Sequence, residues 1–385
     1  MRIYALFPGV ALLGSLVSCV SPEPHGLGES PATTLETVEI AHRIPPHVPD
    51  REGWADDVAF AIRALNKDLS AERVCAVIAI IEQESGYQTD PVVANLPKIV
   101  HDGLRKKFAQ LGPLTEPALA TLLAGKAPGS SETFHQRINK LRTERDLDRF
   151  FRDISLTYKE SLPGTYAIAS AISLILGKGS LQNLNPVTTA GSMQVKISYA
   201  RELDEFKSMS NEHLREYLYT RLGGIRLGTS RLIDYRASYD DLIYRFADFN
   251  VGRYASRNAA FQALLEDLTG QDLALDGDLL AYDEDGEAKT VDSETLKVLL
   301  AFGEKHDLSV WTIRRDVKEE KNENFETTAS WAKVREAWEA KKGRKPIYAR
   351  IPEVELVSPK LLRKLSTSWF ANRVKQRYLS CRSRD

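Results

Sequence analysis

The run Val74–Ile81 constrains this chain most: eight consecutive apolar residues, followed by Glu82, Gln83 and Glu84. A helix that is apolar on every side has to be enclosed, so the run predicts a central helix with a core built around it. Gly86 is placed to end that helix through a left-handed cap, which leaves Glu84 at its C-terminal end. A carboxylate there meets the negative end of the helix dipole, and partial burial adds a desolvation cost to ionisation. Both effects favour the protonated form that a general acid needs. Glu82, two residues earlier, points to another side of the helix and suits pairing with a basic group or support of a cleft floor. By itself, an acid at a helix end is equally consistent with an exposed carboxylate of no role.

Two further segments carry chemistry. Gly191-Ser192-Met193-Gln194-Val195, preceded by Thr188 and Thr189, reads as a glycine turn that opens a new helix. Glycine allows close approach of a ligand to the backbone, and Gln194 can both donate to and accept from sugar hydroxyls or an acetamido group. Met193 reads as core. Phe249-Asn250-Val251-Gly252 closes another helix, with Phe246, Phe249 and Tyr254 around Asn250. Aromatic faces stack on sugar rings and also fill cores, and Asn250 suits either positioning a sugar or water or capping a helix. Together the three segments suggest a cleft enzyme built around one carboxylic acid. Competing chemistries lack their motifs: there is no Gly-x-Ser-x-Gly elbow, no His-Glu-x-x-His pair, and no phosphate-binding glycine loop followed by Lys-Ser or Lys-Thr. The formal net charge of −1 over 385 residues gives no global basic footprint for nucleic acid.

Helical periodicity continues through 54–66, 114–124, 134–158, 164–178, 191–206, 211–222, 225–236, 239–250 and 253–267, with few strand signals. The stretch 95–185 between the first two motifs is too long for a bare loop and reads as a helical insertion walling a cleft. After Gly270 the chain becomes acidic, and its spacing does not match a calcium loop. Residues 293–305 and 326–342 read as helices, Leu308–Ile313 as a short strand, 346–358 as extended and 360–379 as a basic helix. Lys360, Arg363, Lys364, Arg373, Lys375 and Arg377 there suit a solvated face, or contact with anionic lipid or glycan. At the other end, Met1-Arg2 and the short apolar stretch from Tyr4 to Val17 read as a secretory signal over 1–18. Residues 19–50, rich in Pro, Gly, Ser and Thr, read as a tether. Cys75 fits a buried free thiol or, in an oxidising compartment, a disulfide with Cys381.

Leu16-Val17-Ser18-Cys19 resembles a bacterial lipoprotein cleavage box, which implies lipidation of Cys19. Val20, in place of an aspartate, favours the outer membrane, facing the periplasm. Glu84-Ser85-Gly86-Tyr87, Gly191 to Val195 and Ala247-Asp248-Phe249-Asn250-Val251-Gly252 occur in the order seen in soluble-type lytic transglycosylases of the lysozyme superfamily. The whole chain also resembles the DUF1615 family of bacterial lipoproteins. The resemblance to the transglycosylases implies a mainly α, lysozyme-like domain over 51–268, here interrupted by the insertion at about 95–185; residues 269–385 have no counterpart in that family and read as a smaller C-terminal α+β accessory region. It implies Glu84 as the single catalytic acid, then base, in non-hydrolytic cleavage of peptidoglycan. Ser85, Tyr87, Gly191, Ser192, Met193, Gln194, Phe249 and Asn250 would bind substrate. It implies no cofactor and no metal. The partners would be peptidoglycan glycan strands and, through Cys19, the membrane. Ser192 stands where that family has leucine, Phe249 where it has tyrosine, and the gap between the first two motifs is unusually long. Two alternatives remain: a catalytically inactive peptidoglycan-binding or scaffolding lipoprotein, and a lysozyme-like hydrolase with its second acid among Asp90, Glu116, Glu132 and Asp248.

Overall fold

All residues from Val74 to Ile81 are fully buried, so the apolar run is the axis of the molecule. The computed structural model describes residues 34–158, 185–239, 241–283, 286, 288–356 and 365–384. The signal segment, Cys19, the expected helix at 164–178, and Lys360, Arg363 and Lys364 lie outside the described residues. The protein is mainly α-helical. Its helices are α1 (Thr37–Arg43), α2 (Arg51–Arg63), α3 (Ala71–Glu84), α4 (Leu96–Phe108), α5 (Thr115–Ala124), α6 (Phe134–Ile138) and α7 (Glu144–Thr157). They continue with α8 (Ile197–Glu202), α9 (Asn211–Leu218), α10 (Arg221–Ile233), α11 (Leu242–Val251), α12 (Ala255–Thr269), α13 (Glu294–Lys305), α14 (Val310–Asp316), α15 (Ala329–Lys342) and α16 (Thr367–Arg382). Two antiparallel hairpins of two-residue strands complete it: β1 (Thr189–Ala190) with β2 (Val195–Lys196), and β3 (Glu355–Leu356) with β4 (Leu365–Ser366).

The first core gathers α1, α2, α3, the β1–β2 hairpin, α8 to α11 and α16. Two parts of it depart from the expected boundaries. Residues 34–50 are not a tether: Leu35, Ile40, Ala41, Ile44 and Val48 are buried, and α1 places Ile40 on the same face as the residue that follows its last turn, Ile44. The C-terminal helix is not accessory either. Phe370, Ala371, Val374 and Cys381 of α16 are buried against α3 and α11, and a Cys75–Cys381 disulfide with Cα atoms 5.5 Å apart joins α16 to the middle of α3.

The insertion has a core of its own, running from Leu96 to Val187 and centred on Phe108, Phe134 and Phe150. It is fastened to the first body by charge. Arg145, Arg149 and Arg152 of α7 converge on Glu216 of α9. Beside them, the fully buried Asp148 accepts from Arg215 and, at 2.8 Å, from Asn185. The Arg149 hydrogen bond, with Arg145 and Arg152 adding to it against a desolvation cost, holds the Glu216 carboxyl far below the usual range.

A third core lies under α12 to α15, where Phe261, Phe325 and Trp331 pack together. The expected strand at Leu308–Ile313 is instead the start of α14, because Ser309 caps it by accepting from the Thr312 N–H at 3.1 Å. Fully buried Arg257 fastens this body to α12, donating to the carbonyls of Asn322 (2.9 Å) and Glu320 (2.7 Å).

Candidate active site

Glu84 is the last residue of α3 and is half-buried. The helix ends tightly. The Ser85 N–H returns to the Ile81 carbonyl at 3.1 Å, and the Ser85 hydroxyl donates to the same carbonyl while accepting from the Gln88 N–H. Gly86 (φ +58°) and Tyr87 (φ +66°) are successive left-handed residues, a cost of roughly 1–2 kcal/mol at the tyrosine. Packing holds them there: the Tyr87 ring is buried edge-on against Trp54, centroids 5.3 Å apart. Glu82 meets a basic group, Arg377 of α16, at 3.5 Å. The remaining Glu82 oxygen Oε2, Gln83 Oε1 and the Tyr87 hydroxyl are buried and find no hydrogen-bond partner among the described residues. Burial, with repulsion from Glu82, pushes the Tyr87 phenol far up. Buried polar atoms left unpaired cost about 1–3 kcal/mol each, which bound water or a ligand at this helix end would offset.

The second motif is a hairpin turn, not a helix start. Gly191 to Gln194 link β1 to β2, closed by the Gln194 N–H on the Gly191 carbonyl at 3.0 Å. The turn is pressed on a glycine face of α10. A Cβ on Gly191 (φ +80°) would lie 2.2 Å from the Leu218 carbonyl oxygen, one on Gly224 2.9 Å from the Ser192 nitrogen, and one on Gly228 2.4 Å from the Met193 sulfur. Ser192 and Met193 are fully buried, so they form the floor beneath the turn. Gln194, half-buried with φ +48°, has its amide engaged at both ends. It accepts from the Thr189 hydroxyl (2.9 Å) and donates to Glu144 Oε2 (3.0 Å) and to the Gly191 carbonyl (3.2 Å). Glu144, the buried first residue of α7, thus ties the turn to the insertion.

The third motif ends α11. Arg231 of α10 donates from Nε and Nη2 to the Phe249 carbonyl at 3.1 and 3.0 Å, and the Phe249 ring is buried. Asn250 is half-buried, and its Oδ1 is buried without a hydrogen-bond partner among the described residues. Asp248 is an internal strut that accepts from the Ser256 N–H (2.7 Å), the Tyr235 hydroxyl (3.1 Å) and the Tyr239 hydroxyl; burial raises its pKa. Helix α10 therefore backs the second and third motifs. Its glycines seat the hairpin, its Arg231 holds the end of α11, and it also meets α3. Tyr87, Met193 and Phe249 share one core. Of the other carboxylates weighed from sequence, Glu116 pairs with Arg105 at 2.8 Å and Glu132 with Lys140, both on the insertion. Asp90 is half-buried and accepts from the Arg145 N–H at 3.2 Å; burial raises its pKa.

A family model described as "Protein of unknown function (DUF1615)" matches residues 47–384. The chain belongs to the DUF1615 family. It is also similar to "Uncharacterized protein YaiW" of Escherichia coli (strain K12), 35% identical over 368 residues, covering 95% of this chain and 94% of that protein. No solved structure matches it. The family match spans the first core from α2 onward, the insertion, the third core and α16, so the DUF1615 unit comprises all three motifs and the helix disulfide-bonded to α3.

Proposed function

We propose that this DUF1615 protein is a peptidoglycan lytic transglycosylase on a lysozyme-like helical scaffold. The observation that supports the reading is that α10 seats the second motif and holds the third, with Tyr87 of the first motif in the same core and half-buried Glu84 ending the enclosed helix α3. Protonated Glu84 donates to the oxygen of the bond between N-acetylmuramic acid and N-acetylglucosamine, while the acetamido group of the muramoyl residue supports the positive centre. The Glu84 carboxylate then takes the proton of the C6 hydroxyl as that oxygen closes on C1, leaving a 1,6-anhydro end. One carboxylate serves both steps, unlike the usual pair in glycoside hydrolases. Ser85, Gln194 and Asn250 are proposed to face the glycan. Gly191 lets the turn seat against Leu218 and α10, while Tyr87, Ser192, Met193 and Phe249 shape the floor.

The Cys75–Cys381 disulfide supports an oxidising compartment, in keeping with an envelope lipoprotein anchored through Cys19, the reading that the leader and Val20 favour. Among the described residues no helix is long and apolar enough to cross a membrane. A non-catalytic glycan binder is the second reading, favoured by one observation: Glu144 and Thr189 already occupy the Gln194 amide. The test is digestion of purified peptidoglycan beside Glu84→Gln. Anhydromuramoyl products from the parent alone support the reading, hydrated reducing ends indicate a hydrolase, and absence of products from folded protein favours the binder.

A further inference from the structure

Cations gather at the end of α11. Arg231 and Arg253 flank the Tyr199 ring, with guanidinium carbons 5.5 and 4.8 Å from its centroid. Arg253 donates to the Tyr199 hydroxyl and the Ser230 carbonyl, both at 2.7 Å, and Arg231 to the Phe249 carbonyl. Those carbonyls lie at helix C-termini, whose dipoles offset only part of a charge. Among the described residues neither guanidinium, nor the ammonium of Lys196 on β2, makes an ion pair or hydrogen bond with a carboxylate, although Arg231 is buried. Lys321 adds a further cation: its Nζ lies 3.9 Å from where a Cβ on Gly252 would stand, and it is paired with Asp278. Buried charge without a directly paired counter-charge is costly, and like charges held together raise that cost. Dense surroundings, with repulsion from Arg231 and Lys321 outweighing attraction from Asp278 and Glu202, lower the Lys196 ammonium below its usual value. Next to this group stands Asn250 with its unpaired Oδ1, an acceptor for a ligand N–H or O–H.

We propose that Lys196, Arg231 and Arg253 form a subsite for a carboxylate carried on a sugar ring, with Asn250 taking a neighbouring amide or hydroxyl donor. The lactyl carboxylate of a muramoyl residue has that chemistry, and this assignment of ligand rests on the glycan reading above. Charge-assisted hydrogen bonds to guanidinium are about twice as strong as neutral ones, and guanidinium suits planar carboxylate. The subsite therefore distinguishes muramoyl glycan from a chain of N-acetylglucosamine alone.

The test uses the full chain carrying Glu84→Gln, to prevent turnover, and two probes of equal length: peptide-free muramic-acid-containing glycan and chito-oligosaccharide. Binding is measured by calorimetry at low salt. The expected result is a preference of about tenfold for the carboxylated glycan, weakening as salt screens the charges. That preference should fall to the chito-oligosaccharide level on adding Lys196→Gln or Arg253→Gln, with chito-oligosaccharide binding unchanged. Lys196 is exposed, so its variant keeps the test valid where the arginine variant fails to fold. A preference retained in both folded variants, or no preference in the parent, overturns the subsite while leaving the glycan reading standing. Binding of neither probe overturns both.

Discussion

Opening the Cys75–Cys381 disulfide should weaken the candidate site from behind. The bridge spans 306 residues of sequence. In the chain-entropy model a loop of that size is worth about 5–6 kcal/mol at 25 °C, and removing a native disulfide typically costs about 2–5 kcal/mol. Both sulfur-bearing residues are fully buried, and α16 also contributes Phe370, Ala371 and Val374 to the core against α3 and α11. The helix should thus stay docked in reduced protein, but with less reserve. For a chain of this size the slope of stability against urea is about 3 kcal/mol/M, so a loss of about 3 kcal/mol moves the midpoint down by about 1 M. The assay is urea unfolding followed by tryptophan fluorescence, for oxidised protein, reduced protein, and a Cys75→Ala/Cys381→Ala double variant. Reduced protein and the double variant should shift together, and reductant should not move the variant further. Coincident midpoints for oxidised and reduced protein would refute the claim that the bridge clamps α16 to α3.

Other perturbations have separate readouts. Gly228→Ala drives a methyl into Met193; it should cost about 1–3 kcal/mol as overpacking and displace the Gly191–Gln194 turn, read as amide shifts concentrated at 189–196. Glu216→Gln leaves three arginines of α7 without their shared counter-charge and should loosen the insertion by about 2–3 kcal/mol, between exposed and buried pairs, read as faster proteolysis near 90–95 and 185–188. The Glu216 carboxyl is depressed in the fold, so its contribution is fully present above the unfolded value of 4.5 and lost as pH falls below it. Parent protein should show that acid loosening, and the glutamine variant should lack this component. Glu144→Gln keeps an oxygen acceptor for Gln194 but removes its charge, whereas Glu144→Ala removes the acceptor. The alanine variant should therefore disturb the turn more than the glutamine variant, as measured by hydrogen exchange at Gln194.

The helical content was legible because it rests on composition that a window can count. Val74–Ile81 announces an enclosed helix, and Gly86 announces its end. The hairpin at 189–196 was not legible, since two-residue strands present no alternation, and its turn is specified by Leu218, Gly224 and Gly228, distant in sequence. Residues 34–50 read as a tether because prolines and histidines dilute an apolar set too sparse to show a period, yet Leu35, Ile40, Ile44 and Val48 find partners across the first core. The basic character of the last helix concealed its buried face of Phe370, Ala371 and Val374. At the site, Glu84, Gln194 and Asn250 could be singled out by motif. Glu144 and Arg231 could not, because their roles arise from pairing with Gln194 and with the Phe249 carbonyl. Only the Thr143 capping box, with Asp146 three residues on, marks locally where Glu144 begins its helix.

The most direct test of the central claim is mass spectrometry of peptidoglycan fragments released by the soluble domain, run beside folded Glu84→Gln. The account predicts 1,6-anhydromuramoyl ends from the parent and none from the variant. Equal release of those ends by both proteins would contradict the assignment of Glu84, and no release by folded parent would contradict the proposed activity itself.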